Sequence, residues 1–141
     1  MKDTIRYAMS PRPKTLDADA TVVEAAQLMR EEDIGDVMVV DGDGERLCGI
    51  LTDRDIVVRA LAQGLDPNQT LVGDICSREL TTVSPDHGVG HAVRLMRAKA
   101  IRRLPVEEHG HVIGMLTIGD IAVERDAGEA LGDISAAPPN T

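Results

Sequence analysis

The sequence contains no phenylalanine, no tryptophan and a single tyrosine, Tyr7. It therefore has no aromatic platform on which successive nucleic-acid bases could stack, and its core must be built from Val, Ile, Leu, Ala and Met. Cysteine is scarce. Cys48 and Cys76 are too few for a disulfide scaffold, and their apolar surroundings read as two buried free thiols. No apolar run approaches the roughly 20 residues of a membrane span. The opening MKDTIRYAMSPRPK lacks the apolar stretch of a signal peptide, so the expectation is a cytoplasmic protein. Basic residues are the minority, 15 against 24 acidic ones, for a net charge of −9. That argues against a general nucleic-acid binder, which needs a basic face, and favours solubility. A length of 141 residues allows one domain, or two very small ones sharing a core.

What is present is a duplication. Displaced by 67 residues, VVEAAQLMR (22–30) falls on VGHAVRLMR (89–97), Met9-Ser10 on Cys76-Ser77 and Leu16 on Val83. Past residue 41 the offset drops to 65, because the turn GDGER has shrunk to HGH, a length change that hairpin loops tolerate. In each copy the order reads short strand, helix, strand, strand, helix. Val22, Ala25, Ala26 and Met29 recur at helical spacing, as do Val89, Ala92, Val93 and Met96. TVVE (21–24) is a capping box. VMVVD (37–41) with LCGILT (47–52), and LPVEE (104–108) with VIGMLT (112–117), form hairpins. Second helices are predicted at about 53–63 and 118–127, GLDPNQ (64–69) as a turn, and SAAPPNT (135–141) as disordered. The division is 1–66, 67–130 and a flexible tail 131–141, in the α+β class.

Each second hairpin strand ends in the same signature, GILTDRD (49–55) and GMLTIGD (114–120). Thr52 and Thr117, each with an aspartate three residues on, mark helix starts. Three features point past capping. Asp55 and Asp120 are one methylene shorter than the Glu24 of the plain capping box and reach back less well. Gly49 and Gly114 stand where a backbone can approach something closely. A helix N-terminus with free N–H groups suits phosphate, and a carboxylate suits the two hydroxyls of a ribose.

This duplicated G-x-x-T-x-x-D set resembles tandem CBS domains, the Bateman module, over roughly residues 5–130. MSPRPKTL (9–16) is similar to the segment that opens such a motif, and IRRLPV (101–106) to the family's strand entry. LTDRDIVVRALAQGLDP (51–67) further resembles the stand-alone CBS pairs called hypoxic response proteins. The resemblance implies two β-α-β-β-α motifs about a pseudo-twofold axis, with adenosine-type ligands (AMP, ADP, ATP or S-adenosylmethionine) in the clefts. Carried over by position, Asp55 and Asp120 would bind ribose and Thr52 and Thr117 phosphate. The base would lie against Thr15, Leu16 and Ile50 in one cleft and Thr82, Val83 and Met115 in the other. Arg102 and Arg103 would serve the phosphate of the ligand at Thr52 and Asp55, where Arg54 adds a third cation. The first copy departs from the family pattern, with Gly35 and Asp36 at the cationic positions and Met38 in place of Pro105. The expectation is one strong site at Thr52 and Asp55, and a weaker one at Thr117 and Asp120 facing Asp36.

Other motifs carry less. DGDGE (41–45) begins like a calcium loop, but Arg46 and Thr52 stand where glycine and glutamate are needed. His87 and His91 share a helix face with no third metal ligand nearby, and HGVGHAV (87–93) lacks the spacing of a phosphate loop. No nucleophile accompanies Asp53, Arg54 and Asp55, so no catalytic residue or required cofactor is expected. The reading is a non-catalytic regulatory module that binds an adenine nucleotide and signals by population shift, pairs as a homodimer, and touches neither nucleic acid nor membrane. The alternative is a dimerisation or protein-interaction module that binds no nucleotide.

Overall fold

The computed structural model describes residues 3–42 and 46–124. The centre of the GDGER turn, the end of the second helix of the second copy and the tail at 131–141 lie outside them. The fold is α+β, in two compact units: Lys14–Leu80, and Met1–Pro13 together with Thr81–Thr141. These are not the spans of the repeat. The segment that opens each copy packs with the hairpin of the other, so residues 3–13 belong to the second hairpin and residues 70–80 to the first.

In the 14–80 unit, β2 (Thr15–Asp17) runs parallel to β3 (Asp36–Asp41), and β3 pairs antiparallel with β4 (Arg46–Thr52). Ser77 pairs with Ile50 of β4 in an isolated antiparallel bridge. In the other unit Val83 bridges parallel to Val106, β5 (Arg103–Glu108) pairs antiparallel with β6 (His111–Thr117), and β1 (Ser10–Pro11) pairs with β6. The 67-residue offset maps Leu16 onto Val83 and Ser10 onto Ser77, so one plan is built twice. The β-bulges repeat too, at Val39/Val40 and Val106/Glu107. The shortened turn is His109-Gly110, both at positive φ, 55° and 81°, as a two-residue type I′ hairpin requires.

The amphipathic helices are α2 (Val22–Glu32) and α5 (Val89–Lys99). Val89, Ala92, Val93 and Met96 of α5 are all buried, as their spacing predicts. In α2 the corresponding face is narrower: Val22, Ala25 and Met29 are buried, Ala26 is exposed, and Leu28 packs against the core instead. α2 starts with the predicted capping box, Thr21 and Glu24 satisfying each other's backbone N–H. Its last turn closes on Asp33 at φ 54°, and that of α5 on Ala100 at φ 55°. A left-handed alanine carries a Cβ penalty that glycine lacks. Ala100→Gly is expected to stabilise the fold by about 1 kcal/mol, read as a higher urea midpoint.

The second helix of the first copy begins as α3 (Asp53–Asp55) and continues as a π-helix over Ile56–Leu61. The Ala62 N–H donates to Val57 O, five residues back, at 2.8 Å. Its counterpart α6 (Ile118–Glu124) is α-helical. The short helices α1 (Ile5–Ala8) and α4 (Val72–Ile75) precede the edge residues Ser10 and Ser77. Arg6 fastens α1 to its unit by donating to Glu108 at 2.6 Å and Asp86 at 3.3 Å.

Each unit has its own core. Leu51, Val39, Val72 and Ala60 lie at the centre of one; Leu104, Leu116, Met96 and Ile121 lie at the centre of the other. Both cysteines are free. Cys76 is buried as expected, but Cys48 is only half-buried, on a strand whose neighbours leave its thiol partly open. Burial pushes both thiols up from their ordinary pKa, which suppresses the reactive thiolate.

Candidate functional site

The two T-x-x-D turns are superimposable in their bonding. The Thr52 hydroxyl accepts from the Asp55 N–H at 3.0 Å, and Asp55 Oδ2 accepts from the Thr52 N–H at 2.9 Å. Thr117 and Asp120 repeat this at 3.1 and 2.9 Å. The expectation that aspartate reaches back poorly is corrected here. Glu24, with its extra methylene, sits farther from the Thr21 N–H, at 3.3 Å. The shorter side chain needs less bending to close the box, so capping explains both aspartates.

The close approach expected at the two glycines is present. A Cβ on Gly49 would lie 2.5 Å from Ser77 O and 2.7 Å from Cys76 Sγ, and one on Gly114 would lie 2.6 Å from Met9 Sδ and 2.9 Å from Ser10 O. What approaches these positions is the chain's own edge segment, Met9-Ser10 or its repeat Cys76-Ser77.

The expected free N–H groups are also taken at Thr52. Asp53 N–H donates to Gly35 O at 3.0 Å, Arg54 N–H to the Asp53 carboxylate at 2.8 Å, and Asp55 N–H to Thr52. A carboxylate already caps this helix start. A phosphate bound there must draw its charge from side chains, of which Arg54 is exposed.

The aspartates differ in their remaining oxygen. Asp55 Oδ1 lies 3.7 Å from Arg59 Nε, and Arg59 Nη1 also donates to Ile75 O at 3.3 Å and Cys76 O at 3.5 Å. Asp120 Oδ1 instead accepts the Ser10 hydroxyl at 3.1 Å. Sequence reading missed Arg59 and Ser10. Arg59 was legible as the cation four residues beyond Asp55 on a helix. Ser10 was not, because its role depends on the crossing of the edge segment.

Around the turns, the register sets Thr15 beside Met38 and Met38 beside Ile50. Thr15, Ile50 and Thr52 thus share a face, with buried Met38 between the first two. Leu16 is on the opposite face and packs on the core. In the other unit Pro105 pairs with Met115, the Val83 bridge sets Thr82 beside Pro105, and Val83 itself is in the core. The same register sets Asp36 opposite Thr52 and Arg103 opposite Thr117. Arg102 is exposed in the approach to β5, and its carbonyl accepts the Ile118 N–H at 3.1 Å.

A CBS domain model matches residues 3–61 and 72–126, two copies that span most of the chain. The chain belongs to the CBS-domain family. The CBS domain-containing protein YhcV of Bacillus subtilis is 37% identical over 136 residues, 94% of this chain and 95% of that protein. Hypoxic response protein 1 of Mycobacterium tuberculosis is 37% identical over 119 residues, 84% of this chain and 82% of that one. A crystal structure of Hypoxic Response Protein I, solved with two coordinated zinc ions, matches with a TM-score of 0.79 at 36% identity, covering 86% of this chain and 98% of that one. The chain is thus a tandem CBS pair similar to stand-alone members of the family. Among the described residues no three His, Cys, Asp or Glu side chains are grouped to hold a metal, although the His87 and His91 rings lie 4.3 Å apart. Among those residues, no helix is long and apolar enough to cross a membrane.

Proposed function

We propose that this CBS pair is a non-catalytic regulatory module that binds an adenine nucleotide at the Thr52–Asp55 turn and signals occupancy by a shift in conformation. The observation that carries the reading is the contrast between the two aspartates. Both spend one oxygen on a cap. The second oxygen of Asp120 holds a hydroxyl donor already, whereas that of Asp55 meets, among the described residues, a long ion pair with Arg59. Asp55 therefore has acceptor capacity for a ribose hydroxyl at little cost. Ile50 and Thr15, on the same face as Thr52, offer aliphatic and polar contact to a base. The protein is proposed to be a cytoplasmic homodimer that needs no cofactor.

Isothermal calorimetry with AMP, ADP, ATP and S-adenosylmethionine tests the binding. The expected result is one strong site per chain; no heat with any of them would favour the alternative, an interaction module without a nucleotide. That alternative has its own support in the exposed side chains of Val57, Val58, Leu61 and Leu65, an apolar strip that a partner would cover.

A further inference from the structure

In each unit the second oxygen of the turn aspartate leads to the crossing segment packed on the same hairpin. Asp120 reaches that segment directly, through the Ser10 hydroxyl at 3.1 Å. Asp55 reaches it through Arg59, whose Nε lies 3.7 Å from Asp55 Oδ1 and whose Nη1 donates to Ile75 O at 3.3 Å and Cys76 O at 3.5 Å. Ile75 and Cys76 end α4, a helix too short to satisfy its own last carbonyls. Arginine side chains can supply the missing donors. Arg78 does so firmly, at 2.7 Å from Gly73 O. Arg59 does so loosely. All three of its contacts are longer than the ~2.7–3.2 Å of an ordinary N–H···O bond. Its guanidinium is shared between a carboxylate and two carbonyls and closes on neither. Arg59 also lies within the π-helix, a rare geometry found often at functional sites. The matching position of the second copy is Glu124, an acid on an α-helix.

We infer that Arg59 is a positioning residue that couples the load on Asp55 to the segment 72–77. A ligand hydroxyl that donates to Asp55 Oδ1 takes the oxygen that now attracts Arg59. The guanidinium then closes on the Ile75 and Cys76 carbonyls and holds α4 more firmly over Gly49, where Cys76 Sγ lies 2.7 Å from the place of a Cβ. Every group in this chain of contacts belongs to the 14–80 unit. The inference rests on the reading of Asp55 as a ligand-binding carboxylate and adds the route by which occupancy alters the fold.

Amide hydrogen exchange on the full chain tests it, read at Cys76 and Ser77, whose N–H groups donate to Val72 O and Ile50 O. Without any ligand, Asp55→Asn keeps a cap acceptor but removes the charge that draws Arg59. It is expected to slow exchange at both amides about fivefold, at the low end of ordinary coupling between sites. Arg59→Gln is expected to abolish that slowing, so that the double variant exchanges like Arg59→Gln alone. Where Arg59→Gln does not fold, Arg59→Lys makes the same comparison, since it keeps the charge but not the planar fork. Saturating AMP is expected to slow exchange in the wild type by a similar factor, and to bind Arg59→Gln without slowing it. No slowing in Asp55→Asn, or slowing that persists without Arg59, would overturn the coupling. So would AMP that binds the wild type and leaves both amides unchanged, or Arg59→Gln that abolishes AMP binding, which would make Arg59 part of the ligand site. AMP that produces no heat with the wild type would overturn the nucleotide reading instead, and the Asp55→Asn comparison would still decide the coupling.

Discussion

Gly49→Ala is expected to cost about 3 kcal/mol of stability, at the upper end of what overpacking by one methyl group does. The added Cβ would meet Ser77 O at 2.5 Å, and that oxygen is not free to retreat. It accepts the Ile50 N–H at 3.0 Å, while the Ser77 N–H donates back to Ile50 O at 2.9 Å. Moving the carbonyl breaks this bridge and lifts the 70–80 segment, with Val72 and Ile75, off the core. Gly114→Ala makes the same change in the other unit but is expected to cost about half as much. Its closest contact, at 2.6 Å, is Met9 Sδ, the flexible part of an adaptable side chain. Urea unfolding of both variants checks the ranking. Equal and small losses would mean that the edge segments are not held against the glycines in solution.

These glycines mark where sequence reading succeeded and where it stopped. The duplication, the element order and the helix faces were legible because periodicity and internal repetition are local signals. Ala26 was misread because a four-residue pattern sets the direction of a face but not its width. The signature G-x-x-T-x-x-D was recognised correctly, and the structure gives it a second role within the fold. It looked like ligand chemistry, yet its glycine accommodates the edge segment of the other copy, and its Thr and Asp close a helix cap. Both contacts satisfy the fold before any ligand is present. The exchange of opening segments could not be read, because neither Ser10 nor Ser77 carries a mark that says which hairpin it will meet. The sequence separates Asp55 from Asp120 only through the charges expected around them, Arg54, Arg102 and Arg103 against Asp36, and for the same reason could not show the Ser10 hydroxyl on Asp120.

That separation sets the largest functional effect expected. Asp55→Ala is expected to lower nucleotide affinity roughly tenfold to a hundredfold, the loss of charge-assisted hydrogen bonds worth about 1.5–3 kcal/mol. It also removes a cap worth about 1 kcal/mol of stability. Asp120→Ala removes the equivalent cap and is expected to lower stability by a similar amount with little change in affinity, because its outer oxygen is already given to Ser10. The two variants thus match in urea and differ in calorimetry. Asp55→Asn separates the roles further, since an amide oxygen can still accept the Thr52 N–H while the charge is gone: stability is expected to hold and affinity to fall. Arg103→Ala probes the cation. The family resemblance assigns Arg103 to the ligand of Asp55, and the strand register sets it opposite Thr117. Loss of the strong site in Arg103→Ala supports the first assignment, and an unchanged strong site the second. Two sites of equal affinity in the wild type would overturn the ranking of the two aspartates, and an affinity untouched by Asp55→Ala while the melting temperature drops would reduce Asp55 to a helix cap.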